Sequence, residues 1–128
     1  MAVHIVRLGS PRQPDEGLRL GTVRRPPRGV PKSEHASGDW YDVWLPLLAP
    51  ASATVTMALR SSSAEDWARF AQRYRAEMRA PACRHTLALL TALSRHTHFA
   101  VGCYCAEESR CHRSLLRELL SAQGAVMA

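Results

Sequence analysis

The sequence predicts a three-layer α/β domain: a small, mainly parallel β-sheet flanked by helices, with a Rossmann-like or flavodoxin-like topology. Three observations lead there. The stretch His98–Cys105 reads HFAVGCYC, a near-continuous apolar run that suits a strand covered on both faces. Amphipathic helical patterns precede and follow it, so strands and helices alternate in the C-terminal half. The chain has 128 residues, the size of one compact domain with a proper core, and residues 1–128 are read as that single domain.

Along the chain, Val3–Leu8 reads as a first short strand and Leu18–Arg24 as a second. Between them lies GSPRQPDEG, whose turn formers mark a loop. Arg25–Asp39 holds three prolines and two glycines. Missing amide donors and restricted neighbours exclude a helix or central strand there. A connection of that length in a small domain is a candidate for function. Trp40–Pro50 is aromatic and leucine-rich, but Pro46 and Pro50 break it, and the pattern of Ala51–Leu59 fits helix or strand equally. Ser63 with Asp66 resembles a capping box. Trp67, Phe70, Ala71, Tyr74 and Met78 then fall on one helical face and are read as core, with Pro81 ending that helix. A helix over Cys83–Ser94 turns Leu87, Leu90 and Leu93 inward. The last helix, Arg113–Gln123, carries Leu115, Leu116, Leu119 and Leu120 and is terminated at Gly124.

Composition narrows the function classes. The chain is 46% apolar, which argues against wholesale disorder. Prolines and charges interrupt every apolar run short of a membrane span. MAVHIVRLG lacks the basic flank and apolar length of a secretory signal, so a cytoplasmic protein is expected. The net charge of +6 comes almost wholly from sixteen arginines against the single Lys32. Arginine forks suit phosphate and carboxylate, so the partners expected are an anionic small molecule or nucleic acid. An arginine- and alanine-rich codon bias explains the same excess.

The chemistry concentrates in Cys103–Arg113, CYCAEESRCHR. Three of the four cysteines, Cys103, Cys105 and Cys111, fall within these residues. In a reducing compartment such a cluster points to catalysis, redox or metal binding rather than to a disulfide framework. Ligands of open parallel sheets bind outside the carboxyl ends of the strands, where Cys105 lies. Cys111, His112 and Arg113 are placed in the first turn of the last helix, whose free N–H groups and dipole favour anions and thiolates. A thiol there has a depressed pKa. Arg113 would hold a phosphate or carboxylate, and Glu107 would orient the arginine or act as acid or base. The candidate catalytic residues are therefore Cys105, Glu107, Cys111, His112 and Arg113.

Metal ligation by Cys103, Cys105, Cys111 and His112 is the alternative. Cys103 and Cys105 share a strand face. Cys111 and His112, as helix neighbours, would diverge by about 100°, and C-x-C-x5-C-H matches none of the usual structural zinc spacings. Cys103 and Cys83 also read simply as packing residues. A phosphotyrosine-phosphatase loop is excluded, because the sixth residue after Cys105 is Cys111 and after Cys103 is Ser109, where arginine is required. Gly-rich phosphate loops are absent. No spacing among His4, His35, His85, His96 and His98 suggests a metal site.

At Cys105, Glu107, Cys111, His112 and Arg113 the sequence resembles the uncharacterised family called domain of unknown function 488, which includes YeaO-like proteins. In that family a strand ends in C-x-E and a short loop leads into C-H-R. Arg24, Pro27, Arg28, Gly29 and Lys32 look like its arginine, P-R-G and lysine segment. Trp44 with Leu48–Ala49–Pro50 resembles the stretch that comes next, and Trp67, Phe70, Tyr74 and Glu77 echo the aromatic helix after it. The family usually has an aspartate just before the arginine of the second strand, where Thr22–Val23 stand here, and Pro26 replaces its tryptophan. The resemblance implies a fold and a site but no reaction or cofactor. It also implies that the ends of the second strand and of the His98–Cys105 strand are neighbours. That would bring Arg24 and Arg28, as ligand-binding residues with Arg113, toward the cysteines. The function expected is a small enzyme or ligand-binding domain with a thiolate and arginine pocket for a nucleotide-like anion. A metal-binding module and a basic nucleic-acid-associated protein without catalysis are the alternatives.

Overall fold

The computed structural model describes residues Met1–Ala128, and at its centre is a four-stranded, all-parallel sheet in the order β1-β4-β2-β3. The strands are β1 (Val3–Arg7), β2 (Leu18–Gly21), β3 (Val43–Trp44) and β4 (Phe99–Cys103), and the helices are α1 (Ser52–Leu59), α2 (Ala64–Glu77), α3 (Pro81–Leu93) and α4 (His112–Ala122). The three-layer parallel α/β class predicted from sequence is the one observed. All five residues of β4 are buried, as its unbroken apolar run required. Leu18–Gly21 of β2 lie opposite Phe99–Gly102 of β4, so the two strand ends expected to be neighbours are neighbours.

The alternation of side chains gives the sheet two unlike faces. Phe99 and Val101 join Val3 and the buried faces of the helices, chiefly Phe70, Tyr74, Leu87, Leu116 and Leu120, in the main core. The other face presents Arg19, Gly21, Ala100 and Gly102 beneath the connecting segments around residues 8–17 and 31–42. Close approach explains both glycines. A Cβ on Gly21 would sit 2.3 Å from Tyr41 Cδ2, and one on Gly102 would sit 2.6 Å from Leu8 Cδ2. Arg19 is buried with Glu16, its ion-pair partner, and also donates to the carbonyl oxygens of Ser10 (2.8 Å), Pro11 (3.2 Å) and Asp39 (2.6 Å). A buried cation needs this many partners to offset lost hydration. One guanidinium thus ties both roofing segments to the sheet.

Several boundaries differ from the sequence reading. The undecided Ala51–Leu59 segment is helical, and Glu77 of α2 accepts hydrogen bonds from Ala51 N–H (2.9 Å) and the Thr54 hydroxyl (2.5 Å) at its start. Trp40–Pro50 contains β3, a strand only because it pairs with Leu20 and Gly21. Pro81 does not end α2, which closes at Glu77; it occupies the first position of α3, where its missing N–H leaves no bond unmade. Ser63 does cap α2, accepting the Asp66 N–H at 3.1 Å, while Asp66 accepts from Ser62 N–H rather than from Ser63. Gly124, at φ +92°, terminates α4 as expected. No helix is long and apolar enough to cross a membrane.

Candidate functional site

The end of β4 and the start of α4 bring the cysteines together from two sides. Cys103 closes β4 and is buried. Cys105, two residues on, is exposed, and their sulfurs lie 3.9 Å apart. From the helix side, Cys111 is the residue before α4, not a member of its first turn. Its backbone is extended (φ −126°, ψ 151°). The 100° divergence expected for helix neighbours therefore does not apply. Cys111 Sγ and His112 Nδ1 converge to 3.8 Å. One ligand atom each from Cys103, Cys111 and His112 fall within 4.8 Å of one another, all on buried residues.

The orientation of His112 follows from β2. Its Nε2 lies 2.6 Å from the main-chain oxygen of Thr22 and 3.2 Å from the Thr22 hydroxyl. A carbonyl only accepts, so Nε2 carries the proton and the Nδ1 lone pair faces Cys111. The Thr22 hydroxyl donates to Gly102 O at 2.9 Å. Burial pushes the imidazole pKa down to about 4, against the pull of the Thr22 hydrogen bond, so the ring is a neutral acceptor near pH 7. Tyr74 lies alongside it, with 5.4 Å between ring centres.

The three thiols divide their protons unequally. Hydrogen bonds from Cys103 and then Cys111 hold Cys105 well below the ordinary thiol range, helped by the charge of Arg113. Cys103 is pushed up by hydrogen bonding with Cys105 first and Cys111 second, and by burial. For Cys111 the hydrogen bond from Cys103 lowers the pKa, but its own donation to Cys105 and its burial outweigh that, and it is raised. The exposed sulfur is thus the thiolate and the buried pair are its donors. Sequence position alone suggested the reverse for Cys111.

Arg113 stands at the base of this arrangement. Only 4% exposed, it donates from Nη2 to Cys105 O at 2.6 Å, and its buried Nε has no partner. The nearby carboxylate of Glu108 is held by Arg117 through bonds of 2.6 and 2.9 Å. Glu107 is exposed in the connecting turn, with no side-chain hydrogen bond. The structure therefore brings Cys103, Cys105, Cys111, His112 and Arg113 together and leaves Glu107 at the rim.

Arg24 and Arg28 take no part in hydrogen bonds or ion pairs with the cysteine segment. Arg24 instead donates to the carbonyl oxygens of Pro46, Ala49 and Pro50 at 3.0–3.1 Å, and Arg28 is exposed. What β2 contributes is Thr22. Its main-chain oxygen had no signature in the sequence; the only available sign was that β2 should end beside β4. Around the cluster, Leu8, Val23 and Tyr41 pack with Cys103 and Cys111 and keep those sulfurs from water.

A family model described as the active DUF488-N3 subclade matches residues 3–124. The chain belongs to the DUF488 family. No curated protein and no solved structure matches it.

Proposed function

We propose that this DUF488 protein is a small enzyme or ligand-binding domain that holds a nucleotide-like anion beside the Cys105 thiolate. The observation that carries the reading is Arg113: a buried guanidinium with no carboxylate partner and an unpartnered Nε, which donates from Nη2 to the main-chain oxygen of Cys105, the residue with the exposed low-pKa thiol. Arg113 offsets the charge of the Cys105 thiolate, and a guanidinium with donors to spare is the group that would hold a phosphate lodged over Cys105. His112, a neutral ring whose Nδ1 lone pair faces Cys111 at 3.8 Å, would leave the cationic role to Arg113 alone. The description of the matched subclade as active accords with a site that keeps its thiolate, imidazole and guanidinium.

The test is rapid, site-mapped alkylation with iodoacetamide, with and without inorganic phosphate. Cys105 is expected to react faster than a free thiol at pH 7 and to be protected by millimolar phosphate. Labelling no faster than a free thiol sinks the activated thiolate, and labelling indifferent to phosphate sinks the anion site.

A second reading is favoured by the geometry of the cluster. Ligand atoms of Cys103, Cys111 and His112 lie within 4.8 Å of one another, and the Cys105 sulfur adds a fourth donor 3.9 Å from that of Cys103, close to the S–S edge of about 3.8 Å that Zn–S bonds of roughly 2.3 Å give in a tetrahedral site. The Thr22 carbonyl on Nε2 is the kind of outer partner that orients a ligating histidine. In this reading Cys103, Cys105, Cys111 and His112 hold a zinc or iron ion. Elemental analysis of protein purified without chelators separates the two, since stoichiometric metal supports this reading and its absence removes it.

A further inference from the structure

We infer that the cleft beside the long 25–39 connection is a binding subsite for an aromatic base, which makes the ligand a nucleotide rather than a bare phosphate or phosphosugar. The cleft has a volume of about 490 Å³, within the range of small-molecule sites. Three of its nine lining residues, His35, Tyr41 and Trp44, carry aromatic rings, and each ring is held in place. Trp44, 43% exposed, lines the cleft while its indole N–H is held by Val23 O at 2.8 Å. Tyr41 is wedged against Gly21, and the His35 ring meets it edge-on with 5.1 Å between centres. His35 Nε2 is itself tied to Val30 O at 3.2 Å. Rings already immobilised lose little entropy on stacking.

The charges of the lining suit an anionic ligand. Lys32 is exposed and has no carboxylate partner. The one acidic residue of the lining, Asp42, is neutralised by Arg12 at 2.8 Å. Every base has a π-face, so such a platform accepts bases without choosing among them.

Two links place the cleft next to the cysteines. Tyr41 lines the cleft and also belongs to the buried cluster that holds Cys103 and Cys111. Tyr104, between Cys103 and Cys105, donates its hydroxyl to Arg25 O at 2.8 Å, fixing the Cys105 segment against the start of the cleft wall at Pro26. The inference rests on the anion-site reading only for where the phosphate lies.

Calorimetric titration of the full chain with AMP, ribose 5-phosphate and adenosine tests it. AMP is expected to bind at least tenfold more tightly than ribose 5-phosphate. Trp44→Ala should remove that advantage, roughly a tenfold loss or more, and Trp44→Phe should restore most of it, which separates stacking from a folding defect. Lys32→Ala should weaken AMP and leave adenosine unchanged. Equal affinity for AMP and ribose 5-phosphate, no AMP binding at millimolar concentration, or a Trp44→Ala variant that binds AMP like wild type overturns the base subsite. Protection of Cys105 from iodoacetamide is read in the same samples. AMP bound with its base advantage but without protection refutes the anion site and leaves the cleft standing. Equal protection by AMP and ribose 5-phosphate refutes the cleft alone.

Discussion

His112 gives its Nε2 proton to the main-chain oxygen of Thr22 at 2.6 Å, across ninety residues of sequence. That bond sets the tautomer, points Nδ1 at Cys111 and fixes the ring in a site too dry for its charged form. A pH dependence follows. The ordinary imidazole value is 6.5 and the native one is about 4. Between these values the unfolded chain binds the proton and the native chain does not, so stability rises with pH. The contribution is fully present above 6.5 and is lost as pH falls toward 4, on the order of 3 kcal/mol. Urea unfolding of chelator-treated protein at pH 7 and 4.5 measures it. His112→Gln should flatten the difference, and an equally steep loss in the variant would refute the assignment.

Cys105 should show the opposite side of the same electrostatics. With its pKa lowered by hydrogen bonds from Cys103 and Cys111, its alkylation rate should stay level from pH 8 to pH 6. A free thiol slows about tenfold per unit below its pKa near 8.5. Cys105→Ser should abolish this flat component. A normal thiol profile for Cys105 would contradict the division of protons among the three sulfurs.

Arg19 makes a stability prediction. Replacing it by alanine leaves the Glu16 carboxylate buried without its partner and frees the Ser10, Pro11 and Asp39 carbonyls. The loss should be about 3–5 kcal/mol by chemical denaturation. The Glu16→Ala/Arg19→Ala double variant should cost less than the two singles summed. Strict additivity would show that the pair does not act as a unit.

Gly21 carries a packing prediction. A methyl group there meets the Tyr41 ring at 2.3 Å, so Gly21→Ala must displace the ring or the strand, at about 1–3 kcal/mol. Because Tyr41 covers Cys111, the displacement should also expose that thiol. Faster labelling of Cys111 in the variant, with Cys83 as an internal reference, is the expected result. Unchanged labelling and stability would mean the ring is not held as described.

Local pattern made much of this legible. The run at β4 and the amphipathic stripes of α2 and α4 are properties of consecutive residues, and so is the C-x-E…C-H-R arrangement. The parts that stayed hidden depend on partners far away. Val43–Trp44 is a strand only through pairing with Leu20–Gly21. Glu16 and Arg19 look like surface charges until the roofing segments close over them. Cys111 shows how fine the margin is. One residue decides between the first helical turn and the extended residue before it, and with that choice its sulfur either diverges from His112 or meets it. Spacing alone contains no information on that choice, and Arg24 was misdirected similarly, toward the cysteines rather than the 46–50 carbonyls.

Thr22 performs two duties with different parts of itself, and they can be inherited separately. The hydroxyl stitches β2 to Gly102 of β4, a job that a valine would forfeit. The peptide oxygen steers the imidazole, and every amino acid brings one. Position 22 is fully buried, so only a side chain of similar size fits there, but any residue that fits keeps the histidine's bearing. The residue that most firmly orients the candidate site is also one whose name the site does not need to know.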